Sequence, residues 1–195
     1  MRVRSVLLLI GFTLSLPVDA QSLSERLVEA GLERLSHSVT YDGSYRDIDY
    51  PSGDVPDHVG VCTDLVVRAY RDVGIDLQRR VHEDMAAHFD AYPQQWGLDS
   101  PDPNIDHRRV PNLRVFFERR GRTLDRSDDP SDYRPGDIVT WMLPGNRPHI
   151  GIISDRRADD TGHPLVIHNI GGGPELSDML FRYRMTGHYR YPAND

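Results

Sequence analysis

The chain has 195 residues, with 23 basic and 30 acidic side chains and a formal net charge of −7 at pH 7. A balance this acidic argues against nucleic acid as a general partner. The length and the apolar fraction of 38% fit one globular domain with its own hydrophobic core.

Residues 1–20 have the pattern of a secretory signal peptide. Arg2 and Arg4 give a positive start, Val6 to Leu16 form a short apolar core, and small residues ending at Ala20 precede the expected cleavage site. The apolar run is too short for a typical membrane helix, and no later stretch is apolar enough to form one. An uncleaved N-terminal anchor is the alternative.

The mature part, residues 21–195, is therefore expected to be one domain of a periplasmic or secreted protein without an integral membrane segment. Its first predicted element is a helix from Leu23 to Leu35.

The next predicted helix carries Cys62, the only cysteine, so an internal disulfide is impossible. A lone thiol in an exported chain is a buried small hydrophobe, an intermolecular link or a reactive group. Leu65, Val66 and Ala69 recur at helical spacing, and Gly74 is a suitable stop. Cys62 then lies in the first turn, where the helix dipole is expected to lower the thiol pKa toward neutral and free N–H groups could bind an oxyanion.

Two further helices are predicted in the middle of the chain. The stretch RRVHEDMAAHF places Val81, Met85 and Phe89 on one helical face, and VPNLRVFFERRG begins a helix at Pro111 and ends it at Gly121. The segment between them, YPQQWGLDSPDPNIDHRRV, is rich in Pro and Asp and is predicted to be an ordered loop.

A loop of this length is often functional, and we expect it to form one wall of a substrate cleft. Arg108 and Arg109 would hold a substrate carboxylate, and Trp96 would supply an apolar face. The alternative is structural: Asp102 and Asp106 would pair with these arginines and hold the loop in place.

Three apolar runs bounded by turn residues predict β-strands near residues 138–142, 149–154 and 164–169. His149 begins the second strand and His168 lies near the end of the third. Histidines on neighbouring strands can lie side by side in a sheet.

A cysteine at a helix start and two histidines on strands have the parts of a thiol nucleophile with its base. Cys62 would attack, His149 would take its proton and later protonate the leaving group, and His168 would hold the His149 ring in its working tautomer. Each histidine taken alone is more simply a surface or hydrogen-bonded strand residue. The three together favour the catalytic interpretation.

The sequence predicts no metal cofactor. In HEDMAAH the second histidine follows the first at a spacing of six rather than four, so the pair does not face one way on a helix as in zinc peptidases. No CxxC pair is present, and DPNIDH lacks the glycine and terminal glutamate of a calcium loop. A site assembled across the fold is the remaining alternative.

The order of the cysteine helix, GDIVTW, HIGIISD and VIHNIG resembles the NlpC-type papain-like cell-wall peptidases. Nearly the whole mature chain also resembles a bacterial secreted family catalogued as domain of unknown function 1287. The stretches that carry this second resemblance are YPSGDVPDHVGVCTD, GIDLQRRVHEDM, PDPNIDHRRVPNL, YRPGDIVTW, PHIGIISD and VIHNIGGGP.

The NlpC-type resemblance implies Cys62 as nucleophile, His149 as base and His168 as the orienting third member. It also implies that Tyr50, in YPSG, helps to bind the oxyanion. One departure concerns the residues around the thiol, because those enzymes usually have Asp-Cys-Ser where this chain has Val61-Cys62-Thr63-Asp64.

The expected fold is α+β: a papain-like (NlpC-type) core in which the cysteine helix packs on a small antiparallel sheet, with a helical and loop insertion. The end of the chain, MLFRYRMTGHYRY, is expected to add one or two strands. The expected function is an exported cysteine hydrolase that cleaves an amide bond, in peptidoglycan stem peptides or another peptide substrate, without a cofactor. The alternative is a noncatalytic periplasmic binding or scaffold protein that retains the fold.

Overall fold

The computed structural model describes residues 21–193. The predicted signal segment, residues 1–20, lies outside the described residues. The described chain forms four α-helices and a six-stranded antiparallel sheet, which confirms the α+β prediction. Within it, no helix combines the length and apolar character that crossing a membrane would need.

The helices follow the apolar periodicity, and α1 and α3 begin at residues whose side chains cap them. They are α1 (Leu23–Glu33), α2 (Cys62–Asp72), α3 (Leu77–Ala87) and α4 (Val110–Arg120). Ser22 and Glu25 form a capping box on α1, and Asp76 caps α3. Helix α1 tightens into a short 3-10 turn after Glu33 rather than continuing to Leu35, and α4 begins one residue before the predicted Pro111.

The six strands of the main sheet all pair antiparallel with their neighbours, in the order β3-β8-β4-β5-β6-β7. They are β3 (Arg122–Thr123), β4 (Ile138–Leu143), β5 (Arg147–Arg157), β6 (Pro164–Asn169), β7 (Pro174–Ser177) and β8 (Arg184–Arg190). The three predicted strands are confirmed. Strand β5 is longer than predicted because polar residues at its ends still pair, Arg147 with Leu143 and Arg157 with Pro164.

Apolar side chains cover both faces of this sheet, which explains why its strands read as continuous apolar runs. We call the side packed on the helices the helix face and the opposite side the far face. The helix face carries Ile138, Ile150, Ile152 and Ile167. The far face carries Val139, Trp141, Ile153 and Val166, packed with Met179 and Leu180 from the segment between β7 and β8.

A second, two-stranded parallel sheet joins the chain before α2 to the amino end of that helix. It pairs β1 (Thr40–Tyr41) with β2 (Val59–Gly60), and Tyr41 lies opposite Gly60. A Cβ on Gly60 would come within 3.2 Å of the Asp64 Cβ, so a residue without a side chain lets the strand run close to α2. This pairing could not be predicted, since two-residue strands have no periodic pattern.

Candidate active site

Cys62 is the first residue of α2, as the sequence predicts. The Asp64 carboxylate accepts a 2.7 Å hydrogen bond from the Val61 N–H and so caps this helix end. The cysteine is 3% exposed and lies at the wall of a cavity of about 580 Å³. The thiol is therefore nearly buried but faces space that a ligand could enter.

Three groups contact the Cys62 thiol: the Tyr41 hydroxyl and the backbone N–H groups of Ile150 and Thr63. Burial raises the pKa of this thiol to about 11, and the Asp64 carboxylate adds to the increase, although the contacts with Tyr41 and the N–H groups oppose it. The expected decrease toward neutral is thus wrong for the free protein. Desolvation outweighs the stabilisation that a helix amino end offers a thiolate.

The two predicted strand histidines are in contact. Nε2 of His149 lies 3.1 Å from Nδ1 of His168, and each residue is 1% exposed. Burial lowers the pKa of His149 to about 3, with a further decrease from His168, and burial lowers the pKa of His168 to about 4. Both rings are therefore neutral at pH 7, and a single proton lies between them.

The environment of His168 selects the tautomer of this pair. Its Nε2 lies 2.7 Å from the Ser177 Oγ and 3.5 Å from a Glu175 carboxylate oxygen, which can only accept a hydrogen bond. A proton on Nε2 of His168 makes its Nδ1 an acceptor for the Nε2–H of His149. The lone pair on Nδ1 of His149 is then available for an incoming proton.

Cys62 and His149 are neighbours through the backbone of β5 and not through their side chains. The thiol contacts the N–H of Ile150, the residue next to His149. The His149 ring leaves the strand on the far face, with its centroid 6.1 Å from that of Trp141, its partner in the β4–β5 register. Within residues 21–193, no hydrogen bond joins the Cys62 thiol to the His149 ring.

Arg108 lines the cavity, but its side chain is buried in an ion pair with Asp64. Its Nε and Nη2 donate to the two Asp64 carboxylate oxygens at 2.8 and 3.0 Å. Its Nη1 and Nη2 also donate to the backbone carbonyls of Ser44 and Asp42. Arg108 therefore has a structural partner, which is Asp64 instead of the Asp102 and Asp106 of the alternative, and its substrate-binding role stays a prediction.

This ion pair positions Tyr41. Arg108 joins the carbonyls that follow Tyr41 in the chain to Asp64 in the first turn of α2, and the Thr63 hydroxyl donates to the Arg108 carbonyl at 2.9 Å. The Tyr41 hydroxyl consequently lies by both the thiol and the backbone N–H of Cys62. Partial burial raises the pKa of Tyr41, so its hydroxyl keeps its proton and can donate.

Tyr50, to which the resemblance assigns the oxyanion role, lies elsewhere. It is 43% exposed, and its ring packs edge-on against His82 with the centroids 4.9 Å apart. It is not among the residues that line the Cys62 cavity. Tyr41 takes the place expected for Tyr50 because the parallel β1–β2 pair brings the earlier tyrosine to the helix end.

Trp96 and Arg109 form a wall of the cavity, where the sequence placed them. The Arg109 guanidinium carbon lies 4.1 Å from the centroid of the Trp96 ring, and its Nη1 donates to Asp106 at 3.0 Å. The pairing with Asp106 was the structural alternative for this loop, and the structure combines it with a position on the cavity. The substrate role of both residues stays a prediction.

The cavity as a whole is lined by the amino ends of α2 and α4, the loop before α4 and residues of the sheet. The lining residues are Tyr41, Gly43, Val61, Cys62, Gln95, Trp96, Arg108, Arg109, Val110, Pro111, Arg114, Met142, Asn146, Pro148 and Thr186. Arg114 was missed by the sequence analysis, although it follows Val110 at helical spacing and so shares its face of α4. No group of three potential metal ligands occurs in the described part of the chain.

Two comparisons with known proteins bear on this arrangement. A family model described as Domain of unknown function (DUF1287) matches residues 28–191, which include the cysteine and both histidines. Uncharacterized protein YijF of Escherichia coli (strain K12) is 52% identical over 165 residues, which make up 85% of this chain and 80% of the relative.

Proposed function

The chain belongs to the DUF1287 family, and we propose that it is an exported cysteine hydrolase with a papain-like, NlpC-type core that cleaves an amide bond. The observation that carries this proposal is the hydrogen bond between His149 and His168. His149 lies on β5, and the N–H of the next residue, Ile150, contacts the Cys62 thiol. Nucleophilic catalysis by a thiol requires a base that a third group orients, and the His149–His168 pair on the strand next to the thiol fits this requirement.

In the first step, the sulfur of Cys62 attacks the carbonyl carbon of the amide while its proton passes to Nδ1 of His149. The resting thiol and imidazole are both neutral, so proton transfer accompanies the attack rather than preceding it. Nδ1 of His149 must come within hydrogen-bonding distance of the sulfur for this step. Catalytic hydrogen bonds are often long before substrate binds.

The oxyanion formed by this attack would accept hydrogen bonds from the backbone N–H of Cys62 and from the Tyr41 hydroxyl. Both donors lie at the amino end of α2, where the helix dipole also favours negative charge. Donors fixed before the reaction stabilise the transition state without reorganisation.

In the second step, His149 gives its proton to the nitrogen, the C–N bond breaks and the amine departs. The acyl group remains on Cys62 as a thioester. Water then gives a proton to Nδ1 of His149 and attacks the thioester carbon. The carbon–sulfur bond breaks, the acid is released, and the proton returns to the sulfur. His168 keeps the His149 ring in the required tautomer throughout.

The substrate proposed is the stem peptide of peptidoglycan. The signal-like residues 1–20 support an exported, periplasmic or secreted location, and the motif order resembles cell-wall peptidases. The test is to incubate the purified protein with peptidoglycan and to identify soluble products by mass spectrometry. We expect new fragments from the wild type, none from Cys62→Ala, and at least a hundredfold less from His149→Ala.

A matched control is His163→Ala, which removes a partly exposed histidine that bonds Asp178 and does not line the cavity. This variant should release fragments at the wild-type rate. Fragments released equally by Cys62→Ala would refute the nucleophile.

A second candidate is a noncatalytic binding protein of the cell wall. The raised pKa of the Cys62 thiol and its lack of a hydrogen bond to His149 within residues 21–193 favour this candidate. It predicts that wild type and Cys62→Ala sediment with peptidoglycan to the same extent and release nothing. Cleavage that depends on Cys62 would exclude it.

A further inference from the structure

The charged side chains that line the Cys62 cavity are all basic, in an otherwise acidic protein. Its lining contains three arginines and no Asp or Glu side chain, although the chain carries a formal net charge of −7. Two helices, α2 and α4, also open on it with their amino ends, since Val61, Cys62, Val110 and Pro111 are lining residues. Such a cavity favours an anionic ligand.

We propose that Arg109, assisted by Arg114, forms a subsite for a free carboxylate of the substrate, so that the protein selects acidic peptides. This inference rests on the proposed function for its reaction, but the binding that it describes can be measured without hydrolysis. The wall lies on the same cavity as Cys62, so the carboxylate would sit close to the amide that is cleaved.

The Arg109 guanidinium is held in one orientation and keeps N–H donors free. The Trp96 ring supports one face of its guanidinium at 4.1 Å, and its Nη1 is tied to the buried Asp106 at 3.0 Å. Within residues 21–193 its Nε and Nη2 make no hydrogen bond, and the side chain is 17% exposed. A guanidinium that is already oriented loses little entropy when it binds a carboxylate through two hydrogen bonds.

Arg114 has weaker partners and a position on the same helix face. Its side chain is 35% exposed, its Nη2 lies 3.8 Å from Glu118, and it contacts the Tyr189 hydroxyl. Its Nε is buried without a partner in the described residues. Arg108, by contrast, already donates to Asp64 and to two backbone carbonyls. The second arginine of the subsite is therefore Arg114 and not Arg108.

The test measures ligand binding by Cys62→Ala, which cannot turn the ligand over. The probes are N-acetyl-alanyl-glutamate and the corresponding diamide, titrated by calorimetry or NMR at low ionic strength. We expect the acid to bind about tenfold more tightly than the diamide, as one or two hydrogen bonds to a charged group would give. Adding Arg109→Gln should reduce this preference to about twofold or less.

Two further variants separate geometry from charge. Arg109→Lys keeps the charge but not the planar fork, so the preference should fall between the other two values. Arg156→Gln removes one exposed positive charge outside the cavity and should leave the preference unchanged. Thermal unfolding of each variant checks that it folds.

Equal binding of the acid and the diamide, no binding of either, or a preference that survives Arg109→Gln would overturn the subsite. These outcomes are distinct from failure of the hydrolase. An acid preference in a protein that cleaves nothing would leave the subsite standing, and cleavage without any preference for acid would remove the subsite alone.

Discussion

Two buried polar groups flank the candidate nucleophile, and they handle charge in opposite ways. On the helix side, Arg108 and Asp64 form an ion pair joined by two hydrogen bonds. On the far face, His149 and His168 are also buried, but burial keeps them neutral. The first group fixes geometry, whereas the second keeps an imidazole lone pair free to accept a proton.

The difference also explains the state of the thiol between them. Asp64 is close enough to raise the pKa of Cys62, although Arg108 compensates its charge, and neutral His149 supplies no positive charge to lower it. A resting thiolate–imidazolium pair therefore does not form. If the protein is a hydrolase, substrate binding must bring about the proton transfer.

The largest expected effect is the loss of stability when the Arg108–Asp64 ion pair is broken. Arg108→Ala leaves the Asp64 carboxylate buried and unpaired, so we expect the free energy of unfolding to fall by about 3–5 kcal/mol in urea titrations. Arg79→Ala, whose ion-pair partner Glu83 is exposed, is the control and should cost about 1 kcal/mol or less. Equal losses from the two variants would contradict the assignment of Arg108 to structure.

The next effect concerns the thiol. With a pKa of about 11, Cys62 should react with iodoacetamide at pH 7 about a hundredfold more slowly than free cysteine, because so little thiolate is present. The rate should rise about tenfold per pH unit up to about pH 10. A rate that is already constant near pH 7 would mean that the thiolate forms in the resting protein.

The neutral His149–His168 pair should make the free energy of unfolding decrease in acid. His149 and His168 have pKa values of about 3 and 4 when folded, so the unfolded chain binds more protons below its own histidine pKa near 6.5. Stability is therefore lost as the pH falls through this range, by about 2 kcal/mol per histidine between pH 7 and pH 5.

This loss can be tested with His149→Gln, which should reduce by about 2 kcal/mol the difference between unfolding free energies at pH 7 and pH 5. His163→Gln changes a partly exposed histidine and serves as the control. An unchanged difference in His149→Gln would show that the His149 ring is not held neutral by burial.

The smallest expected effect is at the end of the histidine chain. Ser177→Ala removes the hydroxyl 2.7 Å from Nε2 of His168 and weakens the tautomer selection, so hydrolysis should fall about tenfold in kcat. Ser177→Thr keeps the hydroxyl and should restore most of the rate. Loss of stability without a change in kcat would limit Ser177 to a structural role.

The sequence predicted the helices and the central strands because their apolar patterns are long and their caps are clear. Strand β7 was missed, since its four residues follow a run of glycines and carry no alternation. The β1–β2 pair was missed for the same reason, and with it Tyr41, which no local pattern connects to Cys62. Tertiary contacts that join distant short segments leave no periodic trace.

The site was predicted in part. Neighbouring strands brought His149 and His168 together as expected, but the catalytic roles of both stay predictions. Arg108 and Arg109 are adjacent, chemically identical and both on the cavity, so only their burial and their partners distinguish the more structural residue from the one with free donors. The thiol pKa depends on desolvation, which a helix-end rule does not include.

The most direct test of the account is to look for the covalent intermediate. Wild-type protein mixed with peptidoglycan fragments, quenched in acid within the first turnovers and examined by intact mass spectrometry, should carry an acyl group that hydroxylamine removes. The adduct should map to Cys62, be absent in Cys62→Ala and be strongly reduced in His149→Ala. Release of fragments without any adduct on Cys62, or the same adduct in Cys62→Ala, would contradict the account.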